Sequence, residues 1–181
     1  ASGTITLTDL DGTSGLVRGV GCGVGLCAGG TVVCSPDQIS LICTGHVNAS
    51  PDLCDGQDND CDGEADEDYS IGGAITLTDL DGTSGLVKGD DCGVGLCGGG
   101  TVQCSPGGVS LECSTHHAVS PDLCDGQDND CDGAADEDYV ASGTITLTDL
   151  DGTSGLVKGD GCGVGLCGGG TVICSPDGVT L

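Results

Sequence analysis

Apolar and hydroxyl side chains alternate near the beginning of the chain. In Gly3–Thr8, isoleucine and leucine alternate with threonine, which is the period-two pattern of a half-buried β-strand. An Asp-Gly turn over Asp9–Gly15 follows, and Leu16–Val17 begins a second short strand. Further on, Thr31–Cys34 and Ile39–Cys43 flank a four-residue Ser-Pro-Asp-Gln turn, which predicts a β-hairpin.

This pattern is repeated along the chain. The segment Ile5–Val17 returns unchanged at Ile75–Val87 and at Ile145–Val157, so the period is 70 residues. The links between copies are short, as they are in stacked repeat arrays. A geometric relation that is repeated without closure generates a rod or a helix. From the 70-residue period we predict two full repeats, residues 1–71 and 72–141, and a partial third repeat, residues 142–181.

Composition changes this picture by showing that apolar packing is too weak to hold such repeats. The chain has 37 Gly, two Tyr, no Phe and no Trp, so a 70-residue repeat needs covalent or ionic staples. Fifteen cysteines, six in each full repeat and three in the partial one, indicate a disulfide framework and an oxidising compartment. We expect every bridge to lie within one repeat. The expected groups are Cys22, Cys27, Cys34 and Cys43 among themselves, and Cys54 with Cys61.

The most acidic stretch of the repeat is a loop that opens with Cys54-Asp-Gly-Gln-Asp-Asn-Asp-Cys-Asp-Gly63. Nine carboxylates and no basic residue lie between Asp52 and Asp68. Two like charges about 4 Å apart repel by roughly 1 kcal/mol in water, and by more when they are partly buried. A compact loop of this composition therefore needs cations among its carboxylates. The same sequence returns at Cys124–Gly133.

The spacing of these carboxylates indicates calcium. Asp58, Asp60 and Asp62 alternate and Gly63 follows, which matches the first ligand positions and the turn of a calcium loop. The loop is not an EF-hand, because Tyr69 replaces the bidentate Glu and no helical pattern flanks it. Carboxylate oxygens suit calcium better than copper or zinc. The predicted ligands are Asp55, Asp58, Asn59, Asp60, Asp62, Asp66 and Glu67, with their copies Asp125, Asp128, Asn129, Asp130, Asp132, Asp136 and Glu137.

A second metal site is an open alternative at the Asp-Gly turn that follows the first strand. Its carboxylates alternate in the same way and threonine oxygens lie close in sequence. The other interpretation is an ordinary hairpin turn. The residues concerned are Asp9, Asp11, Asp79, Asp81, Asp149 and Asp151.

The acidic loop resembles a known repeat type. Cys-Asp-Gly-Gln-Asp-Asn-Asp-Cys-Asp-Gly followed by Asp-Glu is similar to the metal-binding repeats of MopE-like bacterial surface and secreted proteins. The resemblance extends over about Cys22–Glu67 and Cys92–Glu137 and implies a secreted metal-binding surface module. Copper is attached to that family's name, whereas this chain has no Met or Trp and its three His lie outside the loop.

The remaining features limit the class of function. A net charge of −26 with three basic residues excludes nucleic acid as a partner. No apolar run is long enough to span a membrane, and we expect any export signal or anchor to lie outside this sequence. The glycine-rich segment Gly21–Gly30 lacks the helix and lysine of a phosphate loop. His46, His116 and His117 lie in a variable linker, and no catalytic set recurs in every repeat, so we expect no enzyme activity.

These observations predict a mostly β and irregular fold. Tandem disulfide-stapled, calcium-binding β-repeats of about 70 residues would stack into a rod or filament. The predicted role is an extracellular structural protein, a calcium-stabilised fibre, stalk or adhesin at a microbial surface. Its partners would be further copies of itself or a longer chain, with glycans on its Ser- and Thr-rich faces. The alternative is a surface protein that scavenges or buffers calcium or copper.

Overall fold

The computed structural model describes residues 4–181, so Gly3 of the first predicted strand lies outside the described residues. Within residues 4–181 there is no α-helix, and the regular structure consists of short strands and short 3-10 helices. None of the helices in this range has the length and apolar character needed to cross a membrane. The strands are β1 (Gly21–Cys22), β2 (Gly30–Cys34), β3 (Leu41–Cys43), β4 (Leu77–Thr78), β5 (Ser84–Leu86), β6 (Asp91–Cys92), β7 (Gly100–Cys104), β8 (Leu111–Cys113), β9 (Gly161–Cys162) and β10 (Gly170–Thr171). The 3-10 helices are Gly25–Cys27, Thr44–Asn48, Glu67–Tyr69, Gly95–Cys97, His116–Ala118, Glu137–Tyr139 and Gly165–Cys167.

The chain forms two compact units. One comprises Ala1–Leu77 together with Cys104–Leu111, described from Thr4 onwards. The other comprises Thr78–Gln103 together with Glu112–Leu181. The turn of the second repeat's hairpin is therefore part of the unit that contains the first repeat.

A three-stranded sheet in the order β1-β2-β3 forms the centre of the first unit. β2 and β3 are antiparallel, with Val32 opposite Cys43 and Cys34 opposite Leu41, so the predicted β-hairpin is confirmed. Val32 is fully buried between Cys22 and Cys43, while Thr31 is exposed, as the period-two pattern requires. Four partly buried residues complete this small core: Leu7, Leu16, Val20 and Leu41.

The first predicted strand pair is shorter than its sequence pattern suggested. In the first repeat it is reduced to a single antiparallel bridge between Leu7 and Leu16. The turn between them closes early, because the Asp9 amide donates to the Thr13 carbonyl at 2.8 Å. In the second repeat the corresponding segments form the two-stranded sheet β4-β5.

The second repeat has the same arrangement. β6 and β7 are antiparallel, with Cys92 opposite Gly100, and the strand order is β6-β7-β8. Val102, the copy of Val32, is 1% exposed. β9 and β10 of the third repeat form a separate antiparallel pair. The fold is therefore mostly β and irregular, and it depends on cysteines for much of its buried surface.

Six disulfides connect the described residues, and their spacing is the same in both copies. The bridges are Cys22–Cys43, Cys27–Cys61, Cys54–Cys104, Cys92–Cys113, Cys97–Cys131 and Cys124–Cys174, and the free cysteines are Cys34, Cys162 and Cys167. The chain-entropy model gives about 3–4 kcal/mol for closing loops of these lengths. Covalent staples thus replace the apolar core that the composition cannot supply.

Three predictions about the disulfides were wrong: that every bridge lies within one repeat, that Cys54 pairs with Cys61, and that the four cysteines before the loop pair among themselves. Cys54 does not pair with Cys61, and the bridge from Cys54 to Cys104 joins one repeat to the next. Cys61 instead bonds Cys27, at the end of the Gly25–Cys27 turn on which the acidic loop is seated. Of the four cysteines expected to pair among themselves, only Cys22 and Cys43 do so; they lie on the two outer strands of the sheet, with β2 between them.

A buried tyrosine accompanies the bridge between repeats. Tyr69 is 1% exposed, and its hydroxyl oxygen lies 2.9 Å from the Gly108 carbonyl oxygen and 3.2 Å from that of Asp52. The Gly108 carbonyl also accepts a hydrogen bond from the Cys54 amide at 2.7 Å. The hairpin of the second repeat is thereby fixed to the acidic loop of the first. In the second unit, Tyr139 makes the same contacts with Asp122 and Gly178.

Candidate metal centre

The acidic loop is seated on the 3-10 turn Gly25–Cys27 of the same repeat. The Leu26 amide donates to the Asp58 carbonyl at 3.0 Å, and the Cys27–Cys61 bridge fixes the middle of the loop. A Cβ atom on Gly25 would lie 2.4 Å from the carbonyl oxygen and the carboxylate of Asp58. Glycine is therefore required here for close approach of the two segments.

Within the loop, side-chain oxygens bond backbone amides two residues ahead. Asp60 accepts from the Asp62 amide at 3.0 Å, and Asp62 accepts from the Glu64 amide at the same distance. Cys61 adopts a left-handed backbone conformation with φ 68° between them. These local bonds are typical of aspartates in turns, where a side-chain oxygen accepts from the backbone amide two residues ahead.

Five carboxylates converge at this loop. Oxygens of Asp52, Asp58 and Asp60 lie within 4.8 Å of one another, and so do oxygens of Asp60, Asp62 and Glu67. Asp60 belongs to both groups. Such a cluster of like charges is unfavourable unless protons or cations are bound between the oxygens.

Several of these oxygens are buried and lack a protein partner. Among residues 4–181, no group donates a hydrogen bond to Asp52 Oδ2, Asp58 Oδ1 or Glu67 Oε2, or to Asp122 Oδ2 or Glu137 Oε2 in the second copy. The other Asp52 oxygen accepts from the Asn59 amide at 3.0 Å, which fixes the orientation of that carboxylate. A buried anionic oxygen without a donor is costly, and a metal ion would satisfy it.

The pKa values of the cluster show the same crowding. Burial and the neighbouring Asp52 carboxylate raise the pKa of Glu67 to about 7. In the second copy, the Asp122 side chain and burial raise the pKa of Glu137 to about 7. Burial, together with the surrounding carboxylates, also raises the pKa of Asp60. Glu67 and Glu137 are therefore partly protonated near neutral pH, and a bound cation would displace those protons.

Other predicted ligands have structural contacts. Asp55 accepts from both the backbone and the side-chain amide of Gln57. The Asn59 side chain accepts from the Leu53 amide at 3.1 Å, and Asp66 accepts from the Asp55 and Gly56 amides. These three side chains shape the loop around the five-carboxylate cluster.

The second repeat has matching contacts. Asp125 bonds Gln127, Asn129 accepts from the Leu123 amide, and Asp136 bonds the Asp125 and Gly126 amides and the Lys158 ammonium group. Asp130 and Asp132 accept backbone amides two residues ahead, and Asp128 accepts the Asp132 and Gly133 amides. The two loops are built in the same way.

Sequence reasoning missed Asp52 and its copy Asp122 as members of the site. Both are buried. Asp52 accepts a hydrogen bond from the Asn59 backbone amide, and Asp122 accepts one from the Asn129 backbone amide. They precede the cysteine, so the D-x-D-x-D-G spacing does not include them. Their only signal was their place in the acidic stretch, which has nine carboxylates in the first repeat and eight in the second.

At the alternative second site, the first aspartate of each Asp-Gly turn is occupied by hydrogen bonds. Asp9 Oδ1 lies 2.5 Å from His46 Nε2, and Oδ2 accepts from the Gly23 amide at 2.7 Å. Although burial opposes ionisation, these contacts hold the pKa of Asp9 below its ordinary value. Asp79 bonds His116 and the Gly93 amide, and Asp149 bonds the Gly163 amide, in the same way.

The second aspartate of each turn bonds the threonine two residues ahead. Asp11, Asp81 and Asp151 accept from the amides of Thr13, Thr83 and Thr153. The turn thus has the hydrogen bonding of a structural Asp-Gly turn. His46 and His116, which the sequence suggested were linker residues, hold its first aspartate in the first two repeats.

The donor set of the five-carboxylate cluster fits a hard divalent cation. Its side-chain donors are all oxygens, and the nearby Cys54 and Cys61 are consumed in disulfides. His46 and His116 are bonded to aspartates elsewhere. The residues present can hold a cation that accepts carboxylate oxygens, and they offer no thiolate or imidazole.

Comparison with known proteins agrees with this geometry. Residues 48–67 and 114–137 match the family model Cu-binding_MopE, described as "Putative metal-binding motif". The two matches contain both acidic loops, and each includes the newly identified aspartate before the first loop cysteine. The resemblance drawn from the sequence is therefore confirmed. No curated protein and no solved structure gives a significant match to the chain.

Replacing Gly25 with alanine should disturb the acidic loop. Gly25 and Gly29 both have positive φ, so alanine is strained at either position, but only at Gly25 would the new Cβ meet Asp58. Gly25→Ala should therefore lower the free energy of unfolding by at least about 1 kcal/mol more than Gly29→Ala. Denaturant unfolding followed by tyrosine fluorescence measures both variants. Equal losses would show that the loop does not rest on this turn.

The metal-free protein should lose stability as the pH rises from 5 to 8. An unfolded glutamate loses its proton near pH 4.5, whereas Glu67 and Glu137 keep theirs to about pH 7. The free energy of unfolding therefore falls as the pH rises between these two pKa values, and it stays at the lower value above them. Thermal unfolding of metal-stripped protein between pH 5 and 8 measures the trend. The double variant Glu67→Gln, Glu137→Gln should reduce the dependence of stability on pH, because glutamine does not titrate. An unchanged slope would contradict the assignment.

Proposed function

We propose that this chain belongs to an extracellular structural protein whose calcium-loaded, disulfide-linked repeats build a fibre, stalk or adhesin at a microbial surface. Two metal-binding motif matches and six disulfides favour a metal-binding protein of an oxidising compartment outside the cell. The proposal includes assembly with further copies or a longer chain, and glycans on Ser- and Thr-rich faces. It assigns the chain no catalytic role.

The observation that carries the proposal is that the disulfide loops overlap along the chain. The bridges 27–61, 54–104, 97–131 and 124–174 each begin before the previous one ends. A covalent path from Cys27 to Cys174 can therefore run through four bridges and three stretches of seven residues, 21 steps in place of 147.

This overlap limits how far the chain can be extended. At about 3.4 Å per residue, 147 steps reach about 500 Å, whereas the path through the bridges reaches about 100 Å. A free binding module has no need for such a series of covalent links between repeats. A fibre under tension benefits from it, because unfolding of any one repeat adds little length.

Calcium is the ion that best suits the acidic loop in this proposal. Calcium takes six to eight oxygen ligands in flexible geometry, and carboxylates can supply one or two oxygens each. Five carboxylates converge in the loop, without the sulfur or imidazole donors that copper prefers. The ion would neutralise part of their charge and hold the loop closed beside the bridge between repeats.

The alternative is a surface protein that scavenges or buffers a metal. The name of the matched family, which refers to copper, favours this function. The two proposals differ in what metal removal does. A structural ion should be needed for the fold of its loop, whereas a scavenging site should release its metal and leave the repeats intact.

Calcium should protect the metal-stripped protein, and one carboxylate should matter more than its neighbour. Asp60 lies in both groups of the cluster, whereas the Asp55 carboxylate accepts hydrogen bonds from Gln57. Asp60→Asn with Asp130→Asn should lower calcium affinity by on the order of tenfold or more, because each replaces a carboxylate of the converging cluster, where the ion would bind, with a neutral amide. Asp55→Asn with Asp125→Asn should change it little.

Calorimetric titration with calcium and with copper(II), and protease digestion with each ion, measure these effects. Protection by copper with none by calcium would favour the scavenging protein. Unchanged protease resistance after verified metal removal would rule out a structural ion.

Stretching single molecules tests the series of overlapping bridges on which the fibre proposal rests. Oxidised protein held at its two ends should reach a fully unfolded length about 400 Å shorter than the same protein after reduction, because the bridges bypass 126 of 147 steps. The variant Cys22→Ser, Cys43→Ser serves as a control. The bridge it removes does not lie on the path from Cys27 to Cys174, so the difference in length should be unchanged. Similar lengths before and after reduction would contradict the proposal.

A further inference from the structure

The hairpin turn after β2 has the same backbone in all three repeats. The Ser35 amide donates to the Ser40 carbonyl at 3.0 Å, and the copies of this bond at Ser105 and Ser175 measure 2.9 Å. The fourth turn residue is left-handed each time, with φ 63° at Gln38, 69° at Gly108 and 72° at Gly178. The shape of the turn therefore does not depend on glycine at this position.

In the second and third repeats, this turn binds an acidic loop. Cys104 is bonded to Cys54, and the Gly108 carbonyl accepts from the Cys54 amide and lies 2.9 Å from the Tyr69 hydroxyl. The third repeat has the same three contacts through Cys174 and Gly178: the disulfide to Cys124, its amide at 2.7 Å and the Tyr139 hydroxyl at 3.0 Å. The structure thus contains two examples of one mode of recognition.

In the first repeat the corresponding surface is exposed. Cys34 is a free, exposed cysteine, Gln38 is exposed, and Ile39 is 75% exposed. Gly108, by contrast, is buried beneath its loop. Cys54 and Cys124, the first cysteines of the two acidic loops in this chain, are already bonded.

We propose that the hairpin Cys34–Leu41 is a docking site for the acidic loop of a further repeat of this type, one other than the two loops within residues 1–181. The first cysteine of that loop would bond Cys34, its amide would donate to the Gln38 carbonyl, and the tyrosine that follows the loop would donate to the same oxygen. The inference rests on the proposed function, because a fibre supplies the further repeat.

The glutamine in place of glycine is compatible with docking. A Cβ atom built on Gly108 would lie 3.5 Å from Leu53 Cβ and 3.6 Å from the Cys54 nitrogen, and one on Gly178 would lie 3.4 Å from Leu123 Cβ. These are ordinary van der Waals distances. Gln38 already has the required backbone conformation, so a loop can bind without changing the turn.

The bond can form by thiol–disulfide exchange. The incoming loop cysteine is first held as a mixed disulfide with a low-molecular-weight thiol. The Cys34 thiol gives its proton to solvent, and its thiolate attacks the loop cysteine sulfur. The new protein disulfide forms as the mixed disulfide breaks, and the small thiolate leaves with the electron pair. No other oxidant is needed in this step.

Peptide mapping without reduction, on protein isolated from its native source, tests the proposal. Free thiols are first blocked with a maleimide. We expect the peptide containing Cys34 to be joined to a peptide with the Cys-Asp-Gly opening of an acidic loop, through the first cysteine. A maleimide on Cys34, or a bridge from Cys34 to any other cysteine, would overturn the proposal.

An exchange assay tests whether the hairpin recognises the loop. The protein carries Cys162→Ser and Cys167→Ser, so Cys34 is its remaining free thiol in the described chain. The probe is a peptide with the sequence of residues 50–70 and Cys61→Ser, activated at Cys54 with a coloured aromatic thiol and used with calcium present. Release of that thiol should be about tenfold faster than from a shuffled peptide, because two hydrogen bonds to one carbonyl favour the encounter.

A third peptide with Tyr69→Phe should react at an intermediate rate. Equal rates for all three peptides would refute recognition by the hairpin. The stretching experiment depends on bridges between Cys27 and Cys174, which Cys34 does not join. The fibre proposal and the docking site can therefore fail independently.

Discussion

The bond between the acidic loop of one repeat and the hairpin of the next is the constraint on which the rest of the structure depends. At this point Cys54 meets Cys104, and the Cys54 amide and Tyr69 hydroxyl meet the Gly108 carbonyl. A chain with two tyrosines and no other aromatic residue has few means of holding such a contact by apolar packing. The disulfide holds it covalently, and the buried tyrosine excludes water from the hydrogen bonds.

The same fixed contact accounts for the crowding of the carboxylates. The acidic loop is held at Cys54 by the next repeat and at Cys61 by its own repeat. Between and around these two points, Asp52, Asp58 and Glu67 have buried oxygens that no donor reaches within the described part of the chain. Repulsion that would open a free loop is thereby contained, and a cation is the group that would relieve it. The covalent staples thus act on the same short segment whose carboxylates would bind a cation.

Two residues of the acidic loop have strained backbone conformations. Cys61 and Asp66 have left-handed backbone conformations, which cost free energy for residues with a side chain. Both occur in the acidic loop, where Cys61 reaches Cys27 and Asp66 bonds the Asp55 and Gly56 amides. The loop can keep these conformations because disulfides and hydrogen bonds hold both of its ends.

The sequence by itself determined the local features of this protein. The Ser-Pro-Asp-Gln turn predicted the hairpin between Thr31 and Cys43, and the D-x-D-x-D-G spacing indicated a metal-binding loop, because both depend on residues close together in the chain. Only the tertiary structure decided which cysteines meet and which carboxylates share one cluster. Cys54 pairs with Cys104 rather than Cys61, and Asp52 joins the cluster, because a disulfide or an ion selects groups by distance in space. Repeats with the same cysteine spacing make this choice invisible in sequence, since pairing within a repeat and pairing with the next repeat preserve the same 70-residue period.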